Sequence, residues 1–168
     1  MRPVAPADVE RLIDVHIASW RSAYRGQLPD EVLDNLDSTR PRRRSLWESF
    51  LADKSQPAYI AERDGEILGF VHVGPARPPV DRSIGELYAI YVHPKAWDRG
   101  VGRALFVRAE AALRELGYAD AVLWVLETNR RAREFYEAAG WSADGDTKIE
   151  ELPQVTLHEV RYSRTLIG

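Results

Sequence analysis

Apolar residues at Val9, Leu12, Ile13, Ile17, Trp20 and Tyr24 recur in steps of three and four. That spacing puts them on one stripe of a helix, and Asp8 stands where an N-cap belongs. Gly26 and Pro29 break the pattern, and Pro29-Asp30-Glu31 opens a short second helix ending near Leu36. Thr39 and Pro41 start a third, with Leu46, Trp47, Phe50 and Leu51 as its apolar positions. The rhythm then shortens to two. Tyr59 to Arg63 and Glu66 to Val73 flank Asp64-Gly65, a pair suited to a type I′ turn, so the segment predicts a β-hairpin. A Pro-rich loop follows from Pro75 to Asp81.

Glu86 to Val92 reads as a strand, and the chain after it returns to helical spacing. Val101, Ala104, Leu105, Ala109, Ala112, Leu113 and Leu116 form one stripe, closed by Gly117. Ala121 to Leu126 is a nearly continuous apolar run, as a strand covered on both faces requires. Strand, helix and strand of these lengths predict a right-handed βαβ unit with parallel strands. Arg131 to Ala139 is a short helix stopped by Gly140, and Val155 to Tyr162 is strand-like after Pro153. The whole reads as one α+β domain, a mixed sheet with helices on both faces.

Composition narrows the function classes. A formal charge of −3 and a pI near 5.8 disfavour general binding to nucleic acid or anionic membrane. With no cysteine, disulfides, thiolate catalysis and cysteine-based zinc sites are excluded. Histidines and carboxylates are scattered without ligand spacing, so no metal site is expected. Met1 to Pro6 lacks an apolar signal core and no apolar run approaches membrane-spanning length, which predicts a cytoplasmic protein. Arg40-Pro-Arg-Arg-Arg44 is a basic run, read as the solvated face of a helix in a net acidic chain.

The chemistry concentrates at His93-Pro94-Lys95-Ala96-Trp97-Asp98-Arg99-Gly100-Val101-Gly102-Arg103. Two glycines between a strand and a helix let successive amides turn toward one point, where the helix dipole adds positive potential. This is an anion site suited to a phosphate or diphosphate. It is not a P-loop, which needs Gly-Lys-Ser/Thr where this chain has Gly102-Arg103-Ala104. Nor is it a Rossmann fingerprint, since Leu105 stands at the third small position.

These residues resemble the GNAT superfamily of acyl-CoA N-acyltransferases. The first signature is Val92-His93-Pro94 followed by Trp97-Asp98-Arg99-Gly100-Val101-Gly102. A second is Asn129-Arg-Arg-Ala-Arg-Glu-Phe135-Tyr136-Glu-Ala-Ala-Gly140-Trp141. Trp97 departs from the pattern, which has Gln or Arg there. The resemblance implies a mostly antiparallel sheet whose central parallel pair splays to form a CoA cleft. It also implies one domain over 1–168: acceptor-side helices 8–53, a CoA-binding core 59–141 and C-terminal strands 142–168.

In such a fold, the backbone of Ile90, Tyr91 and Val92 would pair with the pantetheine of acetyl-CoA as with a strand. Amides of Asp98, Arg99, Gly100, Val101, Gly102 and Arg103 would hold the diphosphate, and Asn129 would contact the cofactor from the far wall. Tyr136 stands where the family places its general acid. Glu86, 14 residues before Gly100, matches the base of the histone-acetyltransferase branch; on a regular strand it would share a face with Tyr88 and Ile90. Glu127 and a water chain are the other candidate bases. The ribosomal-protein branch's glutamate is replaced by Trp124.

The acceptor pocket would draw on Trp20, Tyr24, Trp47, Tyr88 and the loop Pro75 to Asp81. Its aromatics suit a small, partly apolar amine or a peptide end. His16 lies on the first helix's apolar stripe, and His72, His93 and His158 read as strand or loop residues. The expected reaction is acetyl transfer to a primary amine in a ternary complex, without metal, nucleic acid or membrane partner. A homodimer is the family analogy. Non-catalytic CoA sensing and nucleotide binding at the glycine loop are the competing readings.

Overall fold

A computed structural model describes residues 1–167. Seven strands form one sheet in the order β1-β2-β3-β4-β5-β7-β6. They are β1 (Arg2–Pro3), β2 (Ala58–Arg63), β3 (Glu66–Pro75), β4 (Gly85–Val92), β5 (Asp120–Leu126), β6 (Ser142–Leu152) and β7 (Val155–Thr165). The helices are α1 (Val9–Tyr24), α2 (Asp30–Asp34), α3 (Arg40–Ala52), α4 (Val101–Glu115) and α5 (Arg130–Ala138). Among the described residues β4 and β5 are the one parallel pair, and all other neighbours run antiparallel. The α+β fold with a mixed sheet, expected from the sequence, is the fold observed.

Two apolar clusters sandwich the sheet. One joins Leu12, Ile13 and Ile17 of α1 and Trp47 of α3 to Ile60, Phe70 and Leu126. The other joins Leu105, Ala109 and Leu113 of α4 and Tyr136 of α5 to Val71, Leu87, Leu123 and Tyr162. Burying one such leucine contributes roughly 1.5–3 kcal/mol, so the amphipathic stripes dictate which way each helix faces. At Gly69 a Cβ would stand 2.7 Å from the Tyr91 carbonyl oxygen and 2.9 Å from Leu105 Cδ1. Only glycine lets β3, β4 and α4 approach this closely.

Local details depart from the sequence reading in instructive ways. Asp64 and Gly65 both have positive φ, 52° and 78°, as the expected I′ turn demands. Asp8 does not cap α1. Its buried carboxylate instead accepts hydrogen bonds from the Ala5 amide and the guanidinium groups of Arg2 and Arg11. Helix α2 ends at Asp34, and Leu36–Thr39 forms a separate 3-10 turn. Strand β6 is exposed along almost its whole length, so it carries none of the alternation that marks a half-buried strand.

The most consequential departure is in β4. Its partners on β3 run from Val92 opposite Gly69 to Ala89 opposite His72, and then Leu87 lies opposite Val73. Tyr88 is the extra residue of a β-bulge. The bulge resets the alternation: Leu87 packs in the α4-side cluster, Ala89 and Tyr91 in the α1-side cluster, and Ile90 and Val92 again beside α4. Glu86 and Ile90 therefore do not share a face, contrary to the regular-strand expectation.

Candidate active site

Pairing between β4 and β5 covers only Gly85 with Ala121, Glu86 with Val122 and Leu87 with Leu123. Past the bulge the strands part, and a cleft of about 1130 Å³ opens between Tyr88–Val92 on one wall and Trp124–Leu126 on the other. Its upper rim carries Trp97, Asp98, Gly100, Gly102 and Arg103, and its far wall carries Asn129 and Tyr136. The helices α1 and α3 contribute His16, Trp20, Tyr24 and Arg43.

The rim is built by backbone geometry. Asp98 and Gly100 take positive φ, 60° and 80°, and α4 starts directly afterwards at Val101. Gly100 thereby turns the chain into the helix so that its first amides, which have no intrahelical acceptor, stay free. Trp97 ties this loop to the strand, its indole N–H donating to the Val92 carbonyl at 2.8 Å. From α5, Arg131 pairs with Asp98 at 3.0 Å and lies over the Trp97 ring at 4.4 Å. Sequence reasoning left Trp97 without a role and overlooked Arg131; an aromatic in place of Gln or Arg next to an arginine-rich helix start was the available signal.

On the far wall, Asn129 caps α5, its side-chain oxygen accepting from the Ala132 amide at 3.2 Å. Tyr136 is buried and packs against Phe106, Phe135 and Tyr162. Its hydroxyl makes no hydrogen bond to another described residue. Burial, with Tyr91 nearby, raises its pKa above the ordinary tyrosine value, so the hydroxyl stays protonated through the neutral range. Trp141, the closing aromatic of the second motif, plays a structural part: its indole donates to Glu110 on α4 at 2.9 Å.

Glu86 does not reach the cleft. It is fully buried, and its carboxylate accepts the Arg77 amide at 2.8 Å and the Arg77 guanidinium at 2.6 and 3.1 Å. Arg77 lines the cleft in its place, with Tyr88 beneath its guanidinium at 5.0 Å. The physical reason is the bulge, which leaves Glu86 under the loop that follows β3. Glu127 is exposed and lies outside the cleft, in a shallow depression with Arg130, Arg133, Glu134 and Glu137.

On the α1 side, His16 stacks on Tyr91 at 4.4 Å, and Arg43 reaches its ring at 3.0 Å. Burial and the Arg43 charge lower its pKa to about 3, so the imidazole is neutral. Burial likewise raises the Tyr24 hydroxyl above its ordinary value. Glu159 of β7 also lines this side, a residue that no motif or spacing in the chain singles out.

A sheet parted at the one parallel pair of its described strands, with an amide-lined turn at the mouth and a protonated phenol inside, is an architecture suited to an extended, phosphate-bearing ligand. The chain belongs to the acetyltransferase (GNAT) family, whose match spans residues 17–141. It is 31% identical to the uncharacterized N-acetyltransferase YuaI of Bacillus subtilis, over 73% of this chain and 68% of that protein. To the probable N-acetyltransferase Rv2775 of Mycobacterium tuberculosis it is 30% identical, over 88% and 82% respectively. Its fold is similar to that of the PaiA N-acetyltransferase of Thermoplasma acidophilum in complex with coenzyme A. There the TM-score is 0.74 at 20% identity, over 98% of this chain and 96% of the other. The sequence resemblance to this family is thereby borne out.

Proposed function

We propose that this protein transfers an acetyl group from acetyl-CoA to a primary amine, of a small molecule or of a peptide N-terminus, by direct attack in a ternary complex. The observation that carries the reading is the cleft itself. Strand edges without a ladder partner, free amides at a helix start and an unengaged, protonated Tyr136 hydroxyl converge on one opening. Unpaired strand edges recruit an extended ligand. The likeness to an N-acetyltransferase that binds coenzyme A supports acetyl-CoA as that ligand.

In this reading the pantetheine lies along Ile90, Tyr91 and Val92. The diphosphate takes amides from Asp98 to Arg103, namely those of Arg99, Gly100, Val101 and Gly102 and the two ends of the run. Asn129 holds the cofactor from the opposite wall. Holding thioester and amine together makes the attack effectively unimolecular. A backbone N–H near Val92 steadies the tetrahedral oxyanion. As that intermediate collapses, the C–S bond breaks and Tyr136 protonates the departing thiolate. Glu86 acts as a positioning residue, fixing Arg77 and the 77–84 loop over the acceptor side.

Incubation with acetyl-CoA and a panel of 2-phenylethylamine, spermidine and an alanine-initiated peptide tests the reading, with released thiol and acetylated product both measured. Acetylation of at least one amine, with calorimetric binding of CoA, is expected. Tight CoA binding with no product from any amine would favour a CoA-sensing module instead.

A further inference from the structure

Deprotonating the acceptor requires a base inside the cleft, and neither Glu86 nor Glu127 is there. Among the described residues, Glu159 and Glu150 are the carboxylates on the α1 side of the cleft, with Asp98 at the rim. Glu159 is distinguished by its surroundings. Its side chain is 17% exposed, and its buried Oε2 has the Lys148 ammonium at 3.4 Å against it. On β7 it stands opposite Leu126 of β5 and Lys148 of β6, at the point where β5 has left β4.

Resting on the acetyltransferase reading, we propose that Glu159 is the catalytic carboxylate that receives the acceptor's ammonium group and takes its proton. Oε2 is closed off and faced by the Lys148 ammonium, so it is the rest of the carboxylate, on the cleft lining, that can take a charge-assisted hydrogen bond from a bound amine. The groups that face it fit the task. Lys148 of β6 pairs with it, Nζ 3.4 Å from Oε2, and holds its ammonium over the Trp124 ring at 4.6 Å. A primary ammonium thus already sits in this corner, between a carboxylate and an indole. Glu150 of β6, Arg77 beyond β3, Tyr91 of β4 and Tyr24 of α1 complete the charged and titratable surroundings. On β7 itself, Arg161 is engaged by Asp144 and Asp146.

Burial is the largest influence on Glu159 and raises its pKa above the ordinary glutamate value, opposed by Lys148. A carboxylate so placed is a better base than a solvated one. An N–H bond of R–NH3+ breaks as an O–H bond forms on Glu159, which later yields that proton to solvent. The nitrogen lone pair forms the C–N bond, the C–S bond breaks, and sulfur takes the Tyr136 proton. The second proton lost from nitrogen restores the Tyr136 hydroxyl. The products are R–NH–acetyl, CoA thiol and one proton.

The test uses whichever of 2-phenylethylamine, spermidine and the alanine-initiated peptide the unmodified protein acetylates fastest. Glu159→Gln should lower kcat/KM about 10²- to 10⁴-fold and replace the acid limb of its pH profile by one at higher pH, set by the acceptor amine's own pKa, while CoA affinity stays within about twofold. Lys148→Met should move the parental limb to higher pH, because a neighbouring cation no longer favours the carboxylate. An acid limb at its parental pH and unreduced turnover in Glu159→Gln would overturn the assignment, as would a loss of CoA binding that matches the loss of activity. If the unmodified protein acetylates no amine, the failure lies with the acetyltransferase reading and not with Glu159.

Discussion

Replacing Tyr136 by Phe separates chemistry from architecture because the hydroxyl has no partner among the described residues, whereas the ring is packed on three sides. Phenylalanine keeps the ring contacts, with Phe106 at 5.8 Å and Phe135 at 5.6 Å. Without a hydrogen bond to lose, folding stability should change by less than about 0.5 kcal/mol. A general acid contributes about 10²- to 10⁴-fold, or roughly 2.7–5.4 kcal/mol of barrier. The expected variant therefore melts like the parent and binds CoA within about twofold, yet releases thiol at least a hundredfold more slowly. Thermal unfolding, calorimetry with CoA and steady-state thiol release measure the three quantities independently. Unchanged turnover would remove Tyr136 from the mechanism. A fall in melting temperature or CoA affinity large enough to explain the lost turnover would make its part structural. Since burial raises this pKa, no alkaline loss of activity from Tyr136 should begin below about pH 10.

Glu86→Gln should cost about 1–3 kcal/mol of stability, by weakening charge-assisted bonds to Arg77, while the acid limb of the pH–rate profile keeps its position; displacement of that limb to the acceptor amine's own pKa would return the base role to Glu86. Gly100→Ala meets no steric obstacle, with nothing within 4 Å of the added Cβ, but φ is +80°. The strain of about 1–2 kcal/mol should appear as a melting-temperature loss or as CoA affinity weakened about 5- to 30-fold, and parental values of both would refute it. Asp8 has its native pKa lowered to about 2, mainly by Arg2. Its stabilisation is present above the unfolded value of 3.8 and is lost as pH falls toward 2. Discounted for the partly exposed arginines, it amounts to about 1–2 kcal/mol. Asp8→Asn should show that loss at pH 7 and a flatter acid-unfolding curve.

Legibility followed burial. The stripes of α1 and α4 were plain because their buried residues recur with helical spacing, and β5 because it is buried along most of its length. The hairpin at Asp64-Gly65 was plain because few residue pairs accept two positive φ values. Strand β6 was hidden from the hydrophobic pattern by its exposure, and stood only among the C-terminal strands the family resemblance implied, while β1 was hidden by being two residues long. The glycine loop and the Asn129–Tyr136 segment were readable because each is local in sequence. Glu159 was not, since its significance comes from three strands meeting, and no spacing along β7 announces it. The displacement of Glu86 escaped for another reason: a single extra residue in β4, Tyr88, reverses every inference drawn from alternation beyond it.

That extra residue divides labour along one strand. Beyond Tyr88, Ala89 and Tyr91 belong to the wall shared with α1, while Ile90 and Val92 belong to the wall shared with α4. One cleft thus takes its lining from both faces of a single strand, with the side chains at 89 and 91 on the α1 wall and those at 90 and 92 on the α4 wall.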